Sequence, residues 1–402
     1  MAKCIICGSS ELSEKIFFDS YPLCIGVQPP ELFGKVESFP LTLGSCDQCV
    51  HLQQMNPVAD EHNDVLYGSE NSGLLSSVSI PSKTNVGLVE AQNSFNFFKD
   101  CNLPKGKVLD IGCCDGYFLS LLKAQGYDVQ GVEPNAIGDV AQKKYGIPIT
   151  KDYFSAKYFE ENSFDIIILR NILEHMSDAN GFLEEVYKIL KLGGHIFIEV
   201  PNSALSLREG HVGCFFHQHL SYFSLGTILH FLSRHSLEHV HSLEDYFMYL
   251  CVKKNVDAKP VISSNNDQLD MTHQNIDKYF EGYNRKKKDL NALLEKEDNV
   301  AFFGAGGHTT GLTYMIDEEF RKKIKFVYDN NPLKHGNFLS EIPIEVRDPK
   351  YIKSDNPDVL IISTYLHQAE LLDQAQKMGV PDLKIVTVHS QVRIVNQLEG
   401  VK

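Results

Sequence analysis

The chain has 402 residues, enough for two or three domains, and its 43% hydrophobic content supports sizeable cores and argues against disorder. A formal net charge of −14 argues against a nucleic-acid duplex or an anionic membrane surface as the main partner. No apolar run approaches the ~18–20 residues of a membrane span, and Met1-Ala2-Lys3-Cys4 opens no apolar signal core, so a soluble, cytoplasmic protein without nucleic-acid or membrane partners is expected.

In a reducing compartment the ten cysteines need an explanation other than disulfides. Cys4-Ile5-Ile6-Cys7 and Cys46-Asp47-Gln48-Cys49 are two C-x-x-C knuckles. Four thiolates supplied as two such turns suit one tetrahedral, structural zinc that closes a small lobe. The 38 residues between the knuckles require a β-rich insert. Four unligated thiols are the alternative, and no thioredoxin-like pattern follows either knuckle. Cys24 reads as an ordinary core residue, and Cys113 and Cys114 as small side chains of a turn. Residues 56–85 are polar and serine-rich and read as a connecting loop that could cover a site. Within it, Tyr67 is either a site tyrosine or a packing one. A helix is expected over 86–99.

Residues 107–111 are an apolar run that reads as a buried first strand. A turn over 112–116 and apolar residues at helical spacing over 117–125 follow it. A dinucleotide site wants G-x-G-x-x-G at such a turn. Here the glycines are Gly112 and Gly116, and the acids Asp110 and Asp115 stand beside them. Carboxylates repel phosphate and attract a sulfonium and an ammonium, which points to S-adenosylmethionine. The second strand, 128–133, ends in Glu133, placed to accept from both ribose hydroxyls. The third, 147–150, precedes Asp152 and Tyr153, an acid and a ring that could meet adenine. The fourth, 164–169, leads into Arg170-Asn171-Ile172-Leu173-Glu174-His175-Met176, then a helix, Lys191-Leu192-Gly193-Gly194, and a strand over 195–200. This succession resembles the class I methyltransferases over roughly residues 90–205; a nucleotide-like fold without catalysis is the alternative.

The run Phe215-Phe216-His217-Gln218-His219-Leu220-Ser221-Tyr222-Phe223-Ser224 comes next, with Ser224 as N-cap of a helix over 225–233. Its histidines fall near the carboxyl ends of the parallel strands, where ligands bind in such sheets. A metal reading of His217 and His219 lacks an evident third ligand. A general base suits a neutral imidazole near pH 7, and His175 joins His219 as a candidate, with packing as the alternative for each. Residues 253–298 read as a polar spacer with an exposed helix over 275–296. A second nucleotide-type unit then begins with a strand over 300–303, the turn Gly304-Ala305-Gly306-Gly307-His308-Thr309, a helix from 310, and strands over 325–328, 358–363 and 384–388. The turn keeps two glycines of a dinucleotide fingerprint, with Thr309 in place of the third. Asp329 lies 20 residues beyond it, the usual distance for ribose recognition. A nucleotide sugar is one occupant of such a turn; a scaffold half-sheet is the other reading.

The order of these parts resembles the sugar C-methyltransferases that act on nucleotide-linked deoxy-keto sugars, across almost the whole chain. The resemblance implies an α/β fold: a class I methyltransferase Rossmann-like domain with an N-terminal zinc-binding lobe and a second, C-terminal Rossmann-like domain. Its layout would be a zinc lobe over 1–60, a methyltransferase domain over 61–252, a helical spacer over 253–298 and a nucleotide-binding domain over 299–402. It implies adenosylmethionine held by Asp110, Gly112, Gly116, Glu133, Asp152 and Asn171, and structural zinc on Cys4, Cys7, Cys46 and Cys49. His219 would be the base, assisted by His175 and Tyr67, and Gly304, Ala305, Gly306, Asp329 and Gln218 would face the nucleotide sugar. Two positions depart from the family: Phe216 stands where a tyrosine is usual and Gln218 where a glutamate is. Phenylalanine cannot donate to an enolate, and glutamine cannot orient a histidine with charge. Carbon methylation needs a base beside a ketone, whereas oxygen methylation needs only an aligned, deprotonated hydroxyl, so carbon ranks first and oxygen stays open. Two readings of other classes are a non-catalytic zinc-bearing nucleotide-sugar binding protein and a dehydrogenase using the C-terminal turn for NAD.

Overall fold

Strand β1, Lys107–Ile111, is the apolar run KVLDI, and four of its five residues are buried. It lies in a seven-stranded sheet with β2 Asp128–Val132, β3 Ile149–Thr150, β4 Phe164–Arg170, β5 Leu190–Pro201, β6 Leu237–Glu244 and β7 Phe247–Lys254, in the order β6-β7-β5-β4-β1-β2-β3. Strands β3, β2, β1, β4 and β5 run parallel, while β7 is antiparallel to β5 and β6 to β7. This is the computed structural model of the chain. It describes residues 2–59 except 24, 32, 35 and 36, then 62, 80–81, 84–259, 271–340, 342–365, 367–389 and 391–395. Tyr67 and Cys24 lie outside the described residues.

Side chains leave a strand on alternate faces, and the sheet shows this as two core layers. Leu109, Ile111, Ile167, Leu169, Ile196 and Ile198 pack with α3 Ala179–Ile189 and α4 Leu225–Arg234. Val108, Ile166, Ile168 and Phe197 pack with α1 Asn85–Asp100 and α2 Tyr117–Ala124. Cover on both faces is why these strands are nearly continuous in apolar residues, and each fully buried Ile or Leu contributes roughly 1.5–3 kcal/mol. The sequence reading anticipates β1 to β5 and misses the β6–β7 hairpin. It also starts β5 at His195, whereas the strand already includes Lys191-Leu192-Gly193-Gly194.

The cysteine lobe is built into this body: Cys4, Ile6, Cys46 and Cys49 belong to the same buried layer as Leu183 and Ile228. The residues Leu43–Ser45 pair antiparallel with Leu52–Gln54, and Ser221–Tyr222 adds to the other edge of that strand. The chain divides into two compact units. One comprises Met1–Lys15, Thr42–Leu205 and Gln218–His273; the other comprises Ile16–Leu41, Ser206–His217 and Gln274–Lys402.

In the second unit β8 Val300–Phe303, β9 Ile324–Tyr328, β10 Val346–Arg347, β11 Val359–Ile362, β12 Lys384–Thr387 and β13 Arg393–Ile394 are ordered β10-β9-β8-β11-β12-β13. All neighbours are parallel except β13. Helix α5, His273–Leu294, differs from the exposed spacer expected: it buries Ile276, Tyr279, Phe280, Tyr283, Leu290 and Leu294. Its many charges mask an apolar stripe at spacings of three, four and seven. Helix α6, Gly307–Met315, follows β8. Among the described residues no helix is long and apolar enough to cross a membrane.

Candidate active site

The turn after β1 works because Gly112 and Gly116 take φ of 75° and 72°, which glycine adopts without steric cost. A Cβ on Gly112 would lie 2.5 Å from Ile172 Cδ1, and one on Gly116 would lie 2.4 Å from Ala141 Cβ. The first contact also fixes the loop after β4 against the turn. At the end of β2, Glu133 accepts from the Cys114 N–H through Oε2 at 3.0 Å and from the Asn135 N–H through Oε1 at 3.0 Å. Burial raises its carboxyl, opposed by those two bonds. Asp110 is buried beneath the turn; burial pushes its carboxyl up to about 7 against the pull of Arg170. Asp152 is exposed, engaged by the Tyr158 hydroxyl and by the Tyr153 N–H at 2.8 Å, and Tyr158 holds it below its ordinary value.

Past β4 the chain turns at Asn171, φ 52°, whose N–H donates to Glu199 O at 2.8 Å. The Glu199 carboxylate accepts from Arg170 Nε at 2.8 Å and Ser94 Oγ at 2.6 Å, and the Arg170 guanidinium lies 4.6 Å from the Phe118 ring centre. This buried network escapes the sequence because its members come from α1, α2, β4 and β5.

His175 and His219, 44 positions apart in the chain, meet with ring centres 5.0 Å apart. His175 Nδ1 donates to Gln218 O at 2.7 Å, Leu220 N–H donates to Glu174 O at 2.7 Å, and Gln54 Nε2 donates to His219 O at 2.9 Å. Both histidines are half-buried. Desolvation lowers His175 to about 4 and takes His219 well below its ordinary value, with a further push from His175. Both rings are therefore neutral at pH 7, with a lone pair each. His217 goes elsewhere: a turn at 217–218 separates it from His219, and its Nε2 donates to Tyr21 O at 3.1 Å. Ser224 caps α4 as expected, accepting from Thr227 N–H at 3.2 Å. Glu174, not singled out in the sequence, is buried beside the histidines, with burial raising it to about 8.

The four knuckle cysteines converge, with Cys4 Sγ 3.5 Å from Cys49 Sγ and Cys7 Sγ 3.5 Å from Cys46 Sγ. Bonds of about 2.3 Å to a tetrahedral zinc place sulfurs about 3.8 Å apart, so the quartet fits that ion.

In the second unit Gly304 has φ 107°, and Ala305 N–H donates to Asp329 Oδ2 at 2.8 Å. Asp329 also takes the Asn331 N–H at 2.8 Å and Lys334 Nζ at 2.9 Å. Gly306 opens α6 in extended backbone. His211, His308 and His389 gather around Tyr365 in the same unit, and burial takes His211 and His389 down to about 3. The sequence offers only His308, beside the glycines, as a hint of this cluster.

Residues 90–242 match the family model of a methyltransferase domain, and residues 260–388 match that of a C-methyltransferase C-terminal domain. The chain is thus a methyltransferase whose C-terminal part matches that of the C-methyltransferases. It is similar to NovU, a C-methyltransferase of Streptomyces niveus, at 22% identity over 418 residues, covering 96% of this chain and 97% of NovU. A local match to the ubiquinone biosynthesis O-methyltransferase of Pseudomonas fluorescens (strain SBW25) is 27% identical over 108 residues, 25% of this chain and 47% of that protein. Among solved structures, the Burkholderia thailandensis 1,6-didemethyltoxoflavin-N1-methyltransferase, with bound 1,6-didemethyltoxoflavin and S-adenosylhomocysteine, gives a TM-score of 0.39 at 18% identity, covering 54% of this chain and 96% of that one. The methyltransferase is an adenosylmethionine-dependent enzyme, and the readings as an inert binding protein or an NAD dehydrogenase fall away.

Proposed function

We propose that this methyltransferase methylates a carbon of a nucleotide-linked deoxy-keto sugar, with His219 as the base. The observation that carries the reading is the neutral pair His175 and His219, seated where the loop after β4 is held against the Gly112 turn by Ile172. Bound adenosylmethionine supplies an electrophilic methyl group, and Asp110, Glu133, Asp152 and Asn171 stand around the turn that would hold it. His219 takes the proton from carbon beside the ketone, and the C–H electron pair passes into an enolate whose carbon is then alkylated. A neutral imidazole has the lone pair that step requires. Gln218 sits between the two histidines in the chain, and its carbonyl fixes the proton of His175 on Nδ1. The second unit would hold the nucleotide at Gly304, Ala305 and Gly306, where Asp329 orders the turn. Four cysteines would hold one structural zinc, with no position open for chemistry. A charge of −14 suits a small substrate in the cytoplasm better than nucleic acid or membrane.

Oxygen transfer is the second reading. Phe216 lacks the hydroxyl and Gln218 the carboxylate that the resemblance expects beside the base. Mass spectrometry of nucleotide keto- and hydroxy-sugars incubated with enzyme and adenosylmethionine tests both. A methylated keto sugar whose new group survives as C–CH3 supports the proposal. Methylation of hydroxy-sugars alone overturns it in favour of oxygen.

A further inference from the structure

Glu174 is a buried carboxylate with no assignment in the methyl-transfer chemistry. It lies in the helical turn Leu173–His175 after β4, 1% exposed, and among the described residues no other residue donates a hydrogen bond to either carboxyl oxygen. Buried acidic groups ordinarily find a donor, a counter-charge or a metal. His175 Nε2 is 3.8 Å from Oε1, too far for a hydrogen bond. One ligand atom from each of Glu174, His175 and His219 falls within 4.8 Å of the others. Nitrogen and oxygen ligands at about 2.0–2.2 Å from a shared ion stand about 3–3.6 Å apart, so the gap between Glu174 and His175 is close to the one an ion would span. The tautomer agrees as well. A carbonyl can only accept, so the 2.7 Å bond to Gln218 O places the proton of His175 on Nδ1 and makes Nε2, 3.8 Å from Glu174 Oε1, the nitrogen that carries the lone pair. A carbonyl behind one ring nitrogen is the usual outer support of a histidine that binds metal through the other.

We propose that Glu174, His175 and His219 form a second metal site that takes a divalent ion of the zinc or cobalt class, and that an ion seated there blocks the methyl-transfer base. Two imidazoles with one carboxylate suit such borderline ions, whereas magnesium and calcium prefer all-oxygen sites. The blocking half rests on the assignment of His219 as base. The lone pair that removes a proton from carbon is the one a metal would occupy, so ion binding and deprotonation exclude each other. Free transition metal would then act as a brake on the enzyme, released by chelation.

Cobalt(II) titration of the full-length protein with zinc on its four cysteines tests the site directly, because cobalt does not displace zinc from thiolates by affinity. Dialysis and visible absorption should show one further equivalent in the wild type, absent in Glu174→Gln and in His219→Asn. Calorimetry with adenosylmethionine serves as the folding control for both variants. Turnover should fall about 10²-fold at saturating zinc, return on chelation, and be insensitive to zinc in Glu174→Gln. No further equivalent in the wild type, or one that persists in Glu174→Gln, overturns the site. An equivalent that is lost in Glu174→Gln but leaves wild-type turnover unchanged or raised upholds the site and overturns His219 as the base.

Discussion

Glu133 and Asp329 make the same two bonds in two different units. Each strand-end carboxylate accepts the N–H of a residue in its glycine turn, Cys114 for one and Ala305 for the other, and the N–H two positions after itself, Asn135 and Asn331. The acid in both cases fixes the turn before any ligand arrives. Asp329 carries Lys334 in addition, which offsets its charge. No lysine or arginine forms an ion pair with Glu133 among the described residues, which suits a cationic cofactor.

Glu133→Gln should weaken adenosylmethionine binding. A bond to a charged acceptor is worth roughly 1.5–3 kcal/mol, so calorimetry should show a loss of about tenfold to a hundredfold. Unchanged affinity would place the ribose contact on another residue.

The cofactor-free protein should lose stability as pH rises from about 4 to about 7. Asp110 has its folded value raised from 3.8 to about 7, so over that window the native state keeps a proton the unfolded chain has released. The penalty is complete above the folded value and vanishes below the unfolded one. Asp110→Asn should flatten the slope by up to one proton, about 1.4 kcal/mol per pH unit. Urea melts across the window measure this, and an identical slope in the variant rules the group out.

His219→Asn keeps size and one donor but removes the basic nitrogen. Turnover should fall about 10²–10⁴-fold with cofactor affinity little changed. With the wild-type enzyme, a sugar deuterated beside its ketone should lose label to solvent during turnover. Label retained through methylation excludes the carbanion route, and full activity in the variant removes His219 from the chemistry.

Cys46→Ser should release zinc and lower the melting temperature, because Cys46 and Cys49 are part of the buried layer beneath β4 and β5 rather than of a detached finger. Each 1 kcal/mol lost corresponds to about 2–4 °C at this domain size. Elemental analysis of wild-type protein purified without chelator should give at least one zinc that is lost in Cys46→Ser, and finding none refutes the thiolate site.

Features whose cause is local were legible in the sequence. The glycines at 112, 116 and 304 are demanded by φ, Ser224 by the first turn of α4, and the knuckles by their spacing. Features made by distant partners were not. Glu174 looks like any acid in a turn until residues 218–220 are folded back against it. The resemblance favours His219 over His217, but it is the turn between them that sends one to a backbone carbonyl and the other to His175. Helix α5 hid its apolar stripe among lysines and aspartates.

The segment 206–217 closes against α6 through glycine. A Cβ on Gly311 would fall 2.1 Å from the Gly213 Cα, a Cβ on Gly213 would fall 2.5 Å from the His308 carbonyl oxygen, and His308 Nδ1 donates to Val212 O at 2.8 Å. The unit that carries the C-terminal strands is thus stitched from three stretches of chain, one of which ends a single peptide bond before Gln218. Exchange of that unit between relatives is therefore not a matter of one crossover after the methyltransferase sheet. A chimera joined near residue 274 would set a foreign α6 against the native Gly213, and any side chain at either glycine would wedge them apart. A working exchange would have to carry 16–41 and 206–217 together with the C-terminal part, three pieces that move as one.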